Sequence, residues 1–107
     1  MTIDAILGSA FSGLRAGAAQ AHVAANNIVN QNTEDYRPAE ARNVSIASGG
    51  AGGGGAGVQT QILAQDGPVD IVQEFSRLIA AEAAYDANAT VIRRADEQAN
   101  ELLDLIG

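Results

Sequence analysis

Cysteine is absent from this 107-residue chain, and so is lysine. Without cysteine there are no disulfides, no thiolate metal sites and no cysteine nucleophile, and the chain suits oxidising and reducing compartments equally. Without lysine, the glycine-rich tract in the middle of the chain lacks the side chain a phosphate-binding Walker motif requires. All six basic residues are arginines (Arg15, Arg37, Arg42, Arg77, Arg93 and Arg94), set against 13 acidic residues for a formal charge of -7. Cations so few and so scattered form no basic stripe, so nucleic acid is not an expected partner. Anionic membrane surfaces are disfavoured for the same reason. No apolar run approaches the ~20 residues that span a bilayer, which excludes membrane insertion by a helix. Met1-Thr2-Ile3-Asp4-Ala5-Ile6 carries an aspartate where a secretory signal has its basic region, so no cleaved signal peptide is expected.

Catalytic chemistry is poorly provided for. His22 is the only histidine and has no patterned carboxylate or second histidine near it in sequence. Glu82 with Asp86 and Glu97 with Glu101 are like-charged pairs four residues apart, and Glu97 also has Arg93 and Arg94 within ion-pairing reach. Paired carboxylates act on glycosidic bonds only across a cleft, which two helices and a hairpin do not supply. No nucleophile–base–orienter set exists, so the chain reads as a non-enzyme with no cofactor, no metal and no small-molecule substrate. As for aromatics, Phe11 and Phe75 fall on apolar faces and read as core, and Tyr85 falls in a helical seam.

What is present is helical. Ile3, Ile6, Leu7, Ala10, Phe11, Leu14, Ala18, Ala21, Ala25 and Ile28 recur at threes and fours, which predicts a helix over residues 3–30. Gly8, Gly13 and Gly17 each cost this helix about 0.5–1 kcal/mol relative to alanine, and leave smooth patches for a close neighbour. The amide-rich run from Asn26 to Asn32 ends it. Residues 31–66 read as an extended segment and a two-stranded hairpin, with a flexible glycine tract at 48–57. Asp66-Gly67-Pro68-Val69-Asp70 then opens a helix over 68–106, with Pro68 near its first turn. Its seam reads Ile71, Phe75, Leu78, Glu82, Tyr85, Ala89, Ile92, Asp96, Ala99, Leu103 and Ile106, a heptad register. The expected architecture is a single, mainly α domain (1–107). Two long terminal helices pack antiparallel in coiled-coil fashion, with a small β-hairpin and glycine-rich loop between them.

Two segments carry a resemblance. Ala25-Asn26-Asn27-Ile28, with Asn30, Asn32, Thr33 and Tyr36, resembles the signature that closes the N-terminal helix of bacterial flagellar rod and hook proteins; Ser12-Gly13-Leu14-Arg15-Ala16 resembles the stretch before it. Phe75, Leu78, Ile79, Ala84, Tyr85, Ala87, Asn88, Val91, Ile92, Ala95 and Asp96 resemble the signature of their C-terminal helix. One departure is Glu34-Asp35, where the family usually carries a glycine in the turn. The resemblance implies a structural subunit of the basal-body rod, of the small proximal type. It also implies self-assembly through the terminal helices into a hollow axial structure, and passage through the flagellar export apparatus without a cleaved signal. Other copies of the chain and other rod subunits are the implied partners. The assembly contacts are assigned to Phe11, Leu14, Asn26, Asn27, Ile28, Asn30, Asn32, Thr33, Tyr36, Phe75, Leu78, Tyr85, Asn88, Ile92 and Asp96. The competing reading of the same helical pattern is a soluble helical-hairpin adaptor with no motility role.

Overall fold

The computed structural model describes residues 3–46 and 57–106; most of the glycine tract, expected to be a flexible loop, lies outside the described residues. In chain order the elements are α1 (Ile3–Val29), β1 (Ala39–Ile46), β2 (Gly57–Ala64) and α2 (Ile71–Ile106).

The helix ends follow from local chemistry. Asn30 donates both its backbone N–H and its side-chain Nδ2 to Asn26 O, at 3.0 and 2.9 Å, which closes α1. The Thr33 N–H and hydroxyl then donate to Asn30 O and Oδ1. Asp35 completes the turn at φ 63°, a left-handed conformation that glycine adopts without penalty and aspartate tolerates. The turn therefore keeps its shape without a glycine. At the other end, Asp70 Oδ1 accepts the N–H groups of Val72 and Gln73 at 3.1 and 3.4 Å, making Asp70 the N-cap of α2. Pro68 stands two residues outside the helix rather than in its first turn, because the aspartate side chain fixes the start.

The helices run antiparallel. Ile3 of α1 shares a groove with Ala99 of α2, Gly13 faces Asn88, Gly17 faces Ala81 and Tyr85, and Val23 lies near Arg77. The buried apolar residues are small: Ala10, Ala16, Val23, Ala24, Ala81 and Ala95. An alanine and glycine seam lets the backbones approach closely but buries little apolar surface per residue. The molecule measures 62 × 30 × 15 Å, and its least dimension is scarcely more than the ~10–12 Å width of one helix. It is a thin, elongated body of two helices with the hairpin packed on α1.

The seam of α2 differs from the expected one by a rotation of one residue. Glu74, Ala81 and Ala95 are buried and Asn88 half-buried, so the inward column is 74, 81, 88, 95; Ile71, Leu78, Ile92 and Ala99 flank it. The expected companion column put Phe75, Glu82 and Asp96 inside, but all three are exposed. Along the seam, Gly13 and Gly17 of α1 lie close against Asn88 and against Ala81 and Tyr85 of α2. Phe75 and Phe11 are not core, at 48% and 51% exposed.

The hairpin lies along α1. β1 and β2 pair antiparallel from Ala39↔Ala64 to Ile46↔Gly57. Asn27 holds the Ala39 end, and the Ser12 hydroxyl holds the Gly57 end by accepting the Val58 N–H at 3.0 Å while donating to Ser9 O at 2.8 Å. The fifteen helical steps from Ser12 to Asn27 span about 22 Å, and the seven strand steps from Ala39 to Ile46 about 23 Å. The two lengths match, so one hairpin ladder fits between the two polar anchors.

Candidate assembly interface

The amides expected to make subunit contacts are largely occupied within the chain. Asn27 is fully buried, at 0% exposure. Its Nδ2 donates to Ala39 O at 2.7 Å and its Oδ1 accepts the Ala39 N–H at 3.1 Å, so the amide pairs with both backbone groups of Ala39 as a neighbouring strand would. The Tyr36 hydroxyl donates to the same Oδ1 at 2.8 Å. Asn27 therefore sets the angle at which the chain leaves α1 and enters the sheet. Asn30 and Thr33 cap α1, while the side chains of Asn26 and Asn32 are exposed and Ile28 is half-buried.

Asn88 sits at the helix–helix seam. Its Nδ2 donates to Ala84 O of its own helix at 2.8 Å. The side chain lies across Gly13, so its fit to α1 is one of shape rather than of a hydrogen bond between helices. Leu14, Leu78 and Ile92 are half-buried, and Tyr85 is 44% exposed with its Cβ against Gly17.

A polar cluster that sequence reasoning missed ties the hairpin to α2. Glu74 is 1% exposed, and its Oε1 accepts Arg77 Nη1 at 3.0 Å. The same Nη1 reaches Gln65 Oε1 at 3.3 Å, and Arg77 Nη2 lies 4.0 Å from Glu40 of β1. The other oxygen of Glu74 has no hydrogen-bond partner among the described residues. The only signal in the sequence was a Glu and an Arg three residues apart, which occurs on many solvated helix faces. The ion pair expected between Glu97 and Arg93 or Arg94 does not form: among the described residues the ion pairs involve only Arg42 and Arg77, and Arg93 instead reaches Thr90 Oγ1 at 3.5 Å.

What remains uncovered is apolar. Val72, Phe75 and Ile79 are 76%, 48% and 66% exposed. At about 100° per residue they form one patch roughly 140° around α2 from the seam. On the flank of the helix pair, Ile3, Leu7 and Phe11 of α1 and Ile92, Ala95 and Ala99 of α2 line an open groove of about 380 Å³, with Arg93 and Asp96 also in its wall. Beyond it, Leu102, Leu103, Leu105 and Ile106 are 51–84% exposed. Scattered exposed apolar residues are ordinary, whereas a contiguous run along one helix marks an interaction surface. Among the described residues no group of three His, Cys, Asp or Glu side chains is arranged to hold a metal ion, and no helix is long and apolar enough to cross a membrane.

Residues 68–105, which comprise α2 and the turn that leads into it, match the family described as flagellar basal body rod FlgEFG protein C-terminal. No curated protein matches the chain.

Proposed function

We propose that this chain, whose second helix matches a flagellar basal body rod family, is a structural subunit of the basal-body rod, which assembles with copies of itself and with other rod subunits through its two helices into a hollow axial structure. One observation carries the reading. The helix that matches the family exposes Val72, Phe75, Ile79, Tyr85 and Val91, although a molecule of this size has few apolar side chains to spare. A body 15 Å thick encloses few side chains, and those lie where the two helices, the turn and the hairpin meet. The remaining cover is supplied by neighbours, and the outward patch of α2 is where they bind. Of the residues assigned to assembly, Phe11, Phe75, Tyr85 and Asp96 are exposed and the half-buried Ile92 lines the open groove, and these serve the role directly. Asn27, Tyr36, Leu78 and Asn88 serve it indirectly, by shaping the subunit that is presented.

The absence of cysteine and the glycine-weakened α1 suit passage through the flagellar export apparatus as a partly unfolded chain without a cleaved signal. The test is purification of basal bodies from cells producing a tagged chain. Stoichiometric recovery with the rod, lost in an Ile79→Asp variant that remains soluble and helical, supports the reading. A tagged chain that is exported and folded but absent from every basal body contradicts it, and favours a helical-hairpin adaptor.

A further inference from the structure

α2 outruns its partner. Ile3 of α1 and Ala99 of α2 share the groove, yet α2 continues to Ile106, and every residue from 100 to 106 is exposed. At about 100° per residue, Leu105, Leu102, Ile106 and Leu103 fall within an arc of about 160°, and Glu101 lies at its edge. This helix end is amphipathic and, among the described residues, uncovered. It is also electrostatically unfavourable as it stands. Glu101 and Asp104 sit near the C-terminal, negative end of the helix dipole, and no basic residue occupies the last turn. A cation brought from outside relieves both charges.

The flanking groove offers the complement. Its floor is apolar, with Phe11 and Ile92 among its lining residues, and two charged side chains, Arg93 and Asp96, stand in its wall, Arg93 without an ion-pair partner among the described residues. The end of α2 cannot turn back into the groove of its own molecule, because α2 is continuous from Ile71 to Ile106 and contains neither proline nor glycine to kink it.

We propose that the groove receives the C-terminal end of α2 from a second copy, with Leu102 and Ile106 against Phe11 and Ile92, and Glu101 beside Arg93. This rests on the self-assembly reading and names the segment that fills one of its contacts. Groove and helix end are different surfaces, so the contact is heterologous: each docked copy presents a fresh end, and growth continues along one direction.

The experiment compares the full-length chain with Arg93→Glu, Glu101→Arg and the double variant, reading assembly by sedimentation and electron microscopy and helix content by circular dichroism. Each single variant is expected to raise the concentration needed for assembly by about tenfold, the equivalent of losing one favourable charge contact. The double variant should return to within about threefold of the unmodified chain, since the pair is restored with its signs exchanged. Single variants that assemble like the unmodified chain overturn the docking while leaving self-assembly intact. Weakened single variants that the double variant does not rescue also overturn it. An unmodified chain that stays monomeric at every concentration overturns both the docking and the self-assembly reading.

Discussion

Asn88 lies across Gly13, so closely that a methyl group at position 13 would stand 2.5 Å from Asn88 Oδ1 and 2.7 Å from its Cγ. The whole amide would have to move, and it is tied back to Ala84 O. Gly13 and Asn88 thus act as one element that sets how far α1 slides along α2. Gly13→Ala should destabilise the helix pair by about 1–2 kcal/mol even though alanine favours the helix by nearly 1 kcal/mol. Combined with Asn88→Ala, which removes the obstructing amide, the cost should largely disappear. Thermal unfolding of the four chains measures this coupling, and strictly additive effects would show that the two residues do not share a site.

Asn27 is expected to be the most sensitive amide in the chain. Its replacement by alanine leaves the Tyr36 hydroxyl and both backbone groups of Ala39 without their partner. The expected loss is about 3 kcal/mol, seen as a lower unfolding midpoint in urea. Asn27→Asp adds a pH dependence. Burial raises the folded-state pKa of the introduced carboxyl above its unfolded value, so the destabilisation grows as pH rises above about 4 and is least in acid. A pH-independent deficit would mean that the site opens to water.

At Asp35 the change goes the other way. A residue at φ 63° that is exposed and makes no side-chain contact essential to the fold is a position where glycine relieves strain. Asp35→Gly should stabilise by about 0.5–1 kcal/mol, and Asp35→Val should cost at least as much. The same thermal scan reads both.

Much of this was legible in advance, and the parts that were not have a common origin. Both helices, the hairpin and the antiparallel arrangement follow from periodicity and from the glycine and asparagine punctuation, all of which are local. The rotation of the α2 seam was not legible. Residues 74 and 75 are both members of heptad columns, and the choice between them depends on groups distant in sequence: Glu74 bonds Arg77 and lies in a pocket with Gln20, Val23 and Ala24 of α1 and Glu40 of β1. The Glu74–Arg77–Gln65–Glu40 cluster was hidden for the same reason, since its members lie on three separate stretches of chain. The amides Asn26, Asn27 and Asn88 were expected to set register and subunit contacts; within the chain the side chain of Asn26 is exposed, and Asn88 bonds Ala84 of its own helix. Asn27 finds its partners in the chain's own turn and first strand.

The cluster has its own expected outcome. Arg77→Ala leaves a buried carboxylate without its cation and releases Gln65 and Glu40 from α2. The cost should be about 2 kcal/mol, below that of a fully enclosed pair because Arg77 is partly exposed. Glu74→Gln with Arg77→Ala should recover part of it, because no charge is then buried. Hydrogen exchange should show the hairpin amides losing protection before those of the α1–α2 seam.

The central claim, that α2 presents an outward apolar face for other subunits, is tested most directly by comparing neighbouring residues on that helix. Leu78 is half-buried beside the inward column of α2, and Ile79 is 66% exposed. Sedimentation and circular dichroism of Leu78→Asp and Ile79→Asp, measured over a range of concentrations, separate folding from assembly. The account predicts that Leu78→Asp loses helix content and assembly together, whereas Ile79→Asp keeps its helices and loses only assembly. Ile79→Asp assembling as readily as the unmodified chain would contradict it.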